Sequence, residues 1–118
     1  MKYLFVCFAG VNRSPVAVDI ARTLARKYKI KDFEAESFGY ANIIPGANVS
    51  KLNQADIVFA MDQQVVEDLF RKGVSLENMC NLEIEDVYPI HEYPQLRDEL
   101  ERILTLKLEP FFDGSRKV

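Results

Sequence analysis

The sequence is poor in cysteine and histidine and has no long apolar stretch, and each scarcity excludes a class of protein. Its 118 residues include two cysteines, Cys7 and Cys80, and a single histidine, His91. Two cysteines cannot build the disulfide framework of a small secreted domain, and one histidine without partners at ligand spacing indicates a loop residue. The low cysteine content leads us to expect a cytoplasmic protein, and the lack of a ligand cluster leads us to expect no metal. No apolar run approaches membrane-spanning length, so we expect no contact with a membrane.

The sequence also has no excess of positive charge and no nucleotide-binding motif. The net charge is −3, so the basic surface that nucleic-acid binding requires is absent. No G-x-x-x-x-G-K-[ST] loop occurs, and no G-x-G-x-x-G follows a predicted strand. We therefore expect no cofactor and no nucleic-acid partner, and any bound anion must be held by a local arrangement of groups.

Strand and helix patterns alternate along the chain. Apolar or alternating runs predict four strands, at 2–7, 32–39, 55–61 and 79–84. Amphipathic runs predict a helix of about four turns after the first strand, a second helix over 62–73, and a long third helix from Pro94 toward Pro110. Residues 40–54 favour a loop with at most one helical turn. A parallel sheet covered by helices on both faces, in one domain over residues 1–118, is predicted.

Capping residues predict where the first two helices begin and end. Ser14 is the expected N-cap of the first helix, with Pro15 at its first helical position, and Asp62 is the expected N-cap of the second. Gly73 should end the second helix. On that helix the expected core-facing residues are Val65, Val66, Leu69 and Phe70, and Cys80 is expected in the core at the head of the fourth strand.

The segment CFAGVNRS, residues 7–14, joins the first strand to the first helix. Ligands of such sheets bind beyond the carboxyl ends of the strands, and unpaired N–H groups at a helix N-terminus attract anions. A cysteine facing that field is favoured as the thiolate, and the guanidinium of Arg13 can contact two phosphate oxygens. The pattern therefore indicates a thiolate nucleophile, Cys7, beside a cradle of phosphate size.

The order Cys7, five residues, Arg13, Ser14 and Pro15 resembles the C-x5-R-S-P loop of the low-molecular-weight protein tyrosine phosphatases. The similarity extends to ADIVFAMD at 55–62 and to EDVY at 85–88, which resembles the family's acid loop, usually Asp-Pro-Tyr. It implies a doubly wound, flavodoxin-like sheet of strand order 2-1-3-4. It also implies a phosphomonoester hydrolase that acts on phosphotyrosine proteins or small aryl phosphates through a phosphocysteine, and a monomer is expected.

The resemblance implies a role for particular residues of this chain. Cys7 would be the nucleophile, Arg13 the phosphate clamp and Asp86 the general acid and base, and Ser14 would donate a hydrogen bond to the thiolate. The residues expected to contact the substrate are Phe8, Ala9, Gly10, Val11, Asn12, Ser14 and Tyr88. Tyr88 would wall an aromatic slot; Phe8 and Tyr40 could do so too, or could simply pack.

The chain also departs from the family pattern. Ala9 and Gly10 replace the usual Gly-Asn of the loop, whose asparagine helps to hold it. Asn12 stands where many members have a second cysteine, so the protective disulfide of those members is not expected. The segment 40–54 is shorter than usual, which predicts a more open cleft on that side.

Three carboxylates at the predicted sheet edge could be the general acid. Asp62 is already explained as a helix cap, and Glu85 can be a solvated charge. Asp86 matches the acid of the family by its spacing to Tyr88. Asp86 is therefore favoured, with Asp62 as its rival.

Three other functions would use the same loop. The cysteine loop of the B subunits of sugar phosphotransferase systems is similar, but usually has Ser or Thr at the position of Arg13 and lacks the Asp-x-Tyr acid. An arsenate reductase of the phosphatase-like type needs resolving thiols, and Cys80 is the one candidate. A binding-only pseudophosphatase is the third alternative, which the presence of nucleophile, arginine and acid disfavours.

Overall fold

The computed structural model describes residues 1–7, 13–39, 47–84 and 95–114. Four strands and four helices alternate in these ranges. The strands are β1 (Lys2–Cys7), β2 (Glu34–Gly39), β3 (Ile57–Ala60) and β4 (Met79–Asn81). The helices are α1 (Arg13–Lys27), α2 (Ala47–Asn53), α3 (Gln63–Arg71) and α4 (Gln95–Phe112).

All four strands form one parallel sheet in the order β2-β1-β3-β4. β1 lies in the middle, with Cys7 opposite Gly39 of β2 and Val6 opposite Ala60 of β3. The chain crosses back over β1 between β2 and β3, so the strand order reverses there, and ligands of such sheets bind at this reversal. The predicted order 2-1-3-4 and the doubly wound parallel sheet are confirmed.

Each face of the sheet is covered by its own apolar cluster. Alternate β1 residues, Tyr3, Phe5 and Cys7, belong to the cluster with α1 and α4, and Leu4 and Val6 belong to the cluster with α2 and α3. Burial on both faces explains why β1 reads as a continuous apolar run, as central parallel strands do. Cys7 therefore lies on the α1 face, at the point where β1 ends.

The ends of α3 follow the predicted capping chemistry. The Asp62 carboxylate accepts a hydrogen bond from the Val65 backbone N–H at 3.0 Å, and Gly73 follows the helix with a φ of +98°. The N–H groups of Gly73 and Val74 donate to the carbonyls of Phe70 and Leu69, which is the paired pattern of a Schellman ending. Both predicted caps of this helix are confirmed.

Three predictions about local structure are wrong. α2 runs for seven residues where at most one turn was expected, because Leu52 is fully buried and gives the short segment an anchor in the core. Phe70 is 58% exposed, not core-facing, because Val65 and Leu69 face the core and the residue after Leu69 points about 100° further round the helix. β4 also stops at Asn81, three residues before its predicted end.

Candidate active site

Cys7 and Ser14 meet at the junction between β1 and α1. The Sγ of Cys7 lies 3.1 Å from the Oγ of Ser14, and both side chains are buried. α1 begins at Arg13, so Ser14 lies inside its first turn, and the prediction that Ser14 is the N-cap is wrong. The Ser14 hydroxyl contacts the cysteine sulfur, where it can donate a hydrogen bond to a thiolate.

Arg13 is the central charge of this junction. It is only 2% exposed, and its Nη1 donates to Oδ2 of Asp62 at 2.9 Å and to the carbonyl oxygen of Ile84 at 2.7 Å. A buried guanidinium is tolerated only when such acceptors replace its water. Arg13 therefore links the start of α1 to the segments that follow β3 and β4.

Asp62 uses both carboxylate oxygens in the structure. Oδ1 accepts from the N–H of Val65 at the start of α3, and Oδ2 accepts from Arg13. Each oxygen of Asp62 therefore already accepts one hydrogen bond from a donor of the protein. We infer that Asp62 orients Arg13 and caps α3, and Asp86 stays the favoured acid because of its spacing to Tyr88.

The chain beyond β4 continues to bond to the strand beside it. The N–H of Leu82 donates to the Ala60 carbonyl at 2.9 Å, and the N–H of Ile84 donates to the Met61 carbonyl at 2.6 Å. These bonds hold the Ile84 carbonyl where Arg13 can reach it. The segments at the carboxyl ends of β1, β3 and β4 thus meet around one guanidinium.

Cys80 lies too far from Cys7 to form a disulfide with it. In the strand register Cys80 is opposite Phe59, which is opposite Phe5, and Cys7 lies two residues beyond Phe5. Two strand spacings and two residues separate the Cα atoms by about 10 Å sideways and about 7 Å along the sheet. A disulfide requires Cα atoms within about 7 Å, so bridging would need the backbone to move.

Several predicted site residues lie outside the described residues. They are the loop residues Phe8, Ala9, Gly10, Val11 and Asn12, the aromatic Tyr40, the acid-loop residues Glu85, Asp86 and Tyr88, and His91. Within the described ranges, no group of three His, Cys, Asp or Glu side chains could hold a metal ion. No helix in those ranges is long and apolar enough to cross a membrane.

The sequence did not indicate one functional contact, the acceptor role of the Ile84 carbonyl. A backbone carbonyl has no signal of its own in a sequence. Asp62 was identified, but as a possible acid, and its contact with Arg13 could have been suspected because both follow strand ends that are neighbours in the order 2-1-3-4.

No protein-family model and no curated protein matches the chain. Solved structures with the same fold are found, however. A protein tyrosine phosphatase from Entamoeba histolytica superposes with a TM-score of 0.76 at 17% identity, covering 100% of this chain and 98% of its own. YfkJ from Bacillus subtilis superposes with a TM-score of 0.74 at 20% identity, covering 97% and 93% of the two chains. The chain has the fold of the low-molecular-weight protein tyrosine phosphatases.

A third neighbour shares this fold and is described by a different substrate. The YwlE arginine phosphatase, in a mutant with a phosphorylated active-site serine, superposes with a TM-score of 0.65 at 20% identity, covering 98% of each chain. The resemblance to the phosphatase family is thus confirmed at the level of the fold. The same fold is found in neighbours described as tyrosine phosphatases and as an arginine phosphatase.

Replacing Asp62 should separate its two structural roles. Asp62→Asn can still cap α3, because asparagine caps as well as aspartate, whereas Asp62→Ala loses the cap and the contact with Arg13. Since Asp62 is about a quarter exposed, its contact with Arg13 should contribute less than the ~3–5 kcal/mol lost when a fully buried pair is broken. We expect Asp62→Ala to lower the free energy of unfolding by about 1 kcal/mol more than Asp62→Asn, measured by urea denaturation. Equal losses in the two variants would contradict a capping role.

Proposed function

We propose that this protein is a cysteine-dependent phosphomonoester hydrolase, a protein tyrosine phosphatase of low molecular weight. The observation that carries the proposal is the 3.1 Å contact between Cys7 Sγ and Ser14 Oγ beside the buried Arg13, at the strand ends of this fold. A thiolate stabilised by a hydroxyl, next to a guanidinium and a helix N-terminus, can attack a phosphate that the same groups hold.

The reaction has two displacement steps at phosphorus. In the first, the Cys7 thiolate attacks phosphorus while the bond to the leaving oxygen breaks, and Asp86 gives that oxygen a proton. In the second, Asp86 takes a proton from a water molecule that attacks the phosphocysteine, and the S–P bond breaks to return the thiolate and inorganic phosphate. Arg13 and the N–H groups of the loop 8–12 stabilise the charge on the equatorial oxygens.

Phosphotyrosine on a protein, or a small aryl phosphate, is the substrate that the proposal names. Tyr88 in the acid loop, with Phe8 or Tyr40, would provide the aromatic walls for a phenyl ring. Because one neighbour is an arginine phosphatase, phosphoarginine peptides are the alternative to be assayed beside phosphotyrosine peptides. Faster turnover of phosphoarginine than of phosphotyrosine peptides would leave the proposed phosphocysteine mechanism in place and replace phosphotyrosine as the proposed substrate.

The alternatives that use the same loop are less well supported. The phosphocarriers usually have Ser or Thr where this chain has a buried, ion-paired Arg13. An arsenate reductase would need a resolving thiol, and Cys80 lies beyond disulfide reach of Cys7 in the strand register. We further propose that the protein acts as a monomer in the cytoplasm, whose reducing conditions keep a thiolate nucleophile active.

Cys7→Ser should abolish nearly all hydrolysis of para-nitrophenyl phosphate and keep the fold, since the two side chains are similar in size. A serine hydroxyl is a far poorer nucleophile than a thiolate. Cys80→Ser is the matched control, because Cys80 is a partly buried cysteine of the same sheet, and it should retain activity. Acid quenching of the wild type should trap a phosphorylated cysteine visible by mass spectrometry. Wild-type activity in Cys7→Ser would overturn the proposal.

Arg13→Lys should lower kcat/KM by about 100- to 1000-fold, although the charge is kept. Lysine is a point charge and cannot hold Asp62, the Ile84 carbonyl and two phosphate oxygens with one planar group. The activity is measured with aryl phosphates, and circular dichroism checks that the variant folds. A loss of only a few-fold would mean that Arg13 has a purely structural role.

Asp86→Asn should slow poor leaving groups more than good ones in the first step, because activated phenols need little protonation to depart. Hydrolysis of the phosphocysteine should slow for every substrate, since it needs the base. Asp62→Asn is the comparison variant, and its loss should be the same for all leaving groups because Asp62 acts through Arg13. If the leaving-group dependence appeared in Asp62→Asn instead, Asp62 would be the acid.

A further inference from the structure

The segment that follows β4 is held by positive charges from two sides. Arg13 donates to the Ile84 carbonyl from the α1 side at 2.7 Å. From α4, the Nζ of Lys107 donates to the Leu82 carbonyl at 2.7 Å and lies 3.4 Å from the Glu83 carbonyl. Three consecutive carbonyl oxygens, those of residues 82–84, are therefore fixed by two cations. Below, this segment is called the β4 stem.

The β4 stem needs such support because its middle residue is strained. Glu83 has a φ of +56°, in the left-handed region that disfavours side chains other than glycine. Its N–H donates to the Asn81 side chain at 2.8 Å, and its carbonyl is near Lys107. The hydrogen bonds on either side of Glu83, from the N–H groups of Leu82 and Ile84 to the carbonyls of Ala60 and Met61, hold the ends of the stem but not its middle.

We propose that Lys107 is a positioning residue for the anion-binding arginine. The path runs from Lys107 through the carbonyls of Leu82 and Glu83 to the Ile84 carbonyl, and from there to Nη1 of Arg13. Charge-assisted hydrogen bonds are roughly twice as strong as neutral ones, so the 2.7 Å bond from Lys107 holds the Leu82 carbonyl firmly, directly before the strained residue. Without it, the stem can relax at Glu83, the Ile84 carbonyl moves, and Arg13 loses one of its two described acceptors.

The inference rests on the proposed function in one respect, the binding of phosphate by Arg13. The test is therefore titration of the whole protein with inorganic phosphate in a calorimeter, which needs no turnover. Lys107→Met keeps the length and helix preference of the side chain and removes the charge. We expect it to weaken phosphate binding about tenfold, which corresponds to one charge-assisted contact.

Two further variants separate positioning from general structural damage. Lys107→Arg keeps a cation that can reach the same carbonyls, and it should restore phosphate affinity to within about threefold of wild type. Lys27→Met is the matched control. Lys27 also donates to a residue of α4, Glu109, at 2.6 Å, which raises the pKa of Lys27, but Glu109 is not part of the β4 stem. That control should bind phosphate like the wild type.

The NMR signal of the Arg13 side chain is a second measurement, and a loss of stability alone would not shift it. In nitrogen-edited NMR spectra, the side-chain signal that disappears in Arg13→Lys is the signal of Arg13. It should shift in Lys107→Met and stay in place in Lys27→Met. An unshifted signal together with wild-type phosphate affinity in Lys107→Met would overturn the proposal, as would an equal loss of affinity in Lys107→Arg.

Failure of this inference can be distinguished from failure of the proposed function. If the wild type binds phosphate but hydrolyses no phosphomonoester, the proposed function is wrong and the role of Lys107 is still decided by the titrations. If the wild type hydrolyses aryl phosphates while Lys107→Met binds phosphate normally, only the role of Lys107 is wrong. If the wild type binds no phosphate at all, both are wrong.

Discussion

The buried guanidinium of Arg13 is the constraint on which this edge of the molecule depends. Taking a charge out of water is unfavourable unless acceptors replace the lost hydration, and here a carboxylate and a backbone carbonyl do so. Asp62 follows β3 and Ile84 follows β4, while Arg13 itself starts the helix that follows β1. The positions of three strand ends are therefore linked through one side chain, and each must be correct for the charge to be stable.

Under the proposed function, this arrangement would let an acidic protein hold an anion. With a net charge of −3, the overall field disfavours phosphate, so attraction must come from groups within a few ångströms. The start of α1 provides aligned N–H groups and Arg13 provides a fixed cation. Asp62 would oppose an anion if its charge were open to it. One of its oxygens accepts from Arg13 and the other from Val65, so its negative charge is directed at donors of the protein.

The architecture was predictable because it depends on patterns that are local in the chain. Apolar runs and amphipathic periods indicated the strands and helices, and Asp62 and Gly73 indicated the ends of α3. The errors came where tertiary contacts decide. Ser14 looks like a cap in isolation, but Cys7 of the neighbouring strand lies beside its hydroxyl. The seven-residue α2 is too short to be stable alone and depends on the burial of Leu52, which no local pattern shows.

The sequence motif indicated the proposed site but not the contacts that support it. Cys7, Arg13 and Ser14 were singled out by one motif at a strand–helix junction, and the side chains of Cys7 and Ser14 lie in contact there. The Ile84 carbonyl and Lys107 are brought to the site by register and by helix packing across 71 and 25 residues of chain, respectively. Contacts of this kind have no sequence spacing to recognise. Under the proposal for Lys107, a residue would influence the anion site through backbone carbonyls alone, because fixing the strained stem would fix the acceptor that orients the arginine.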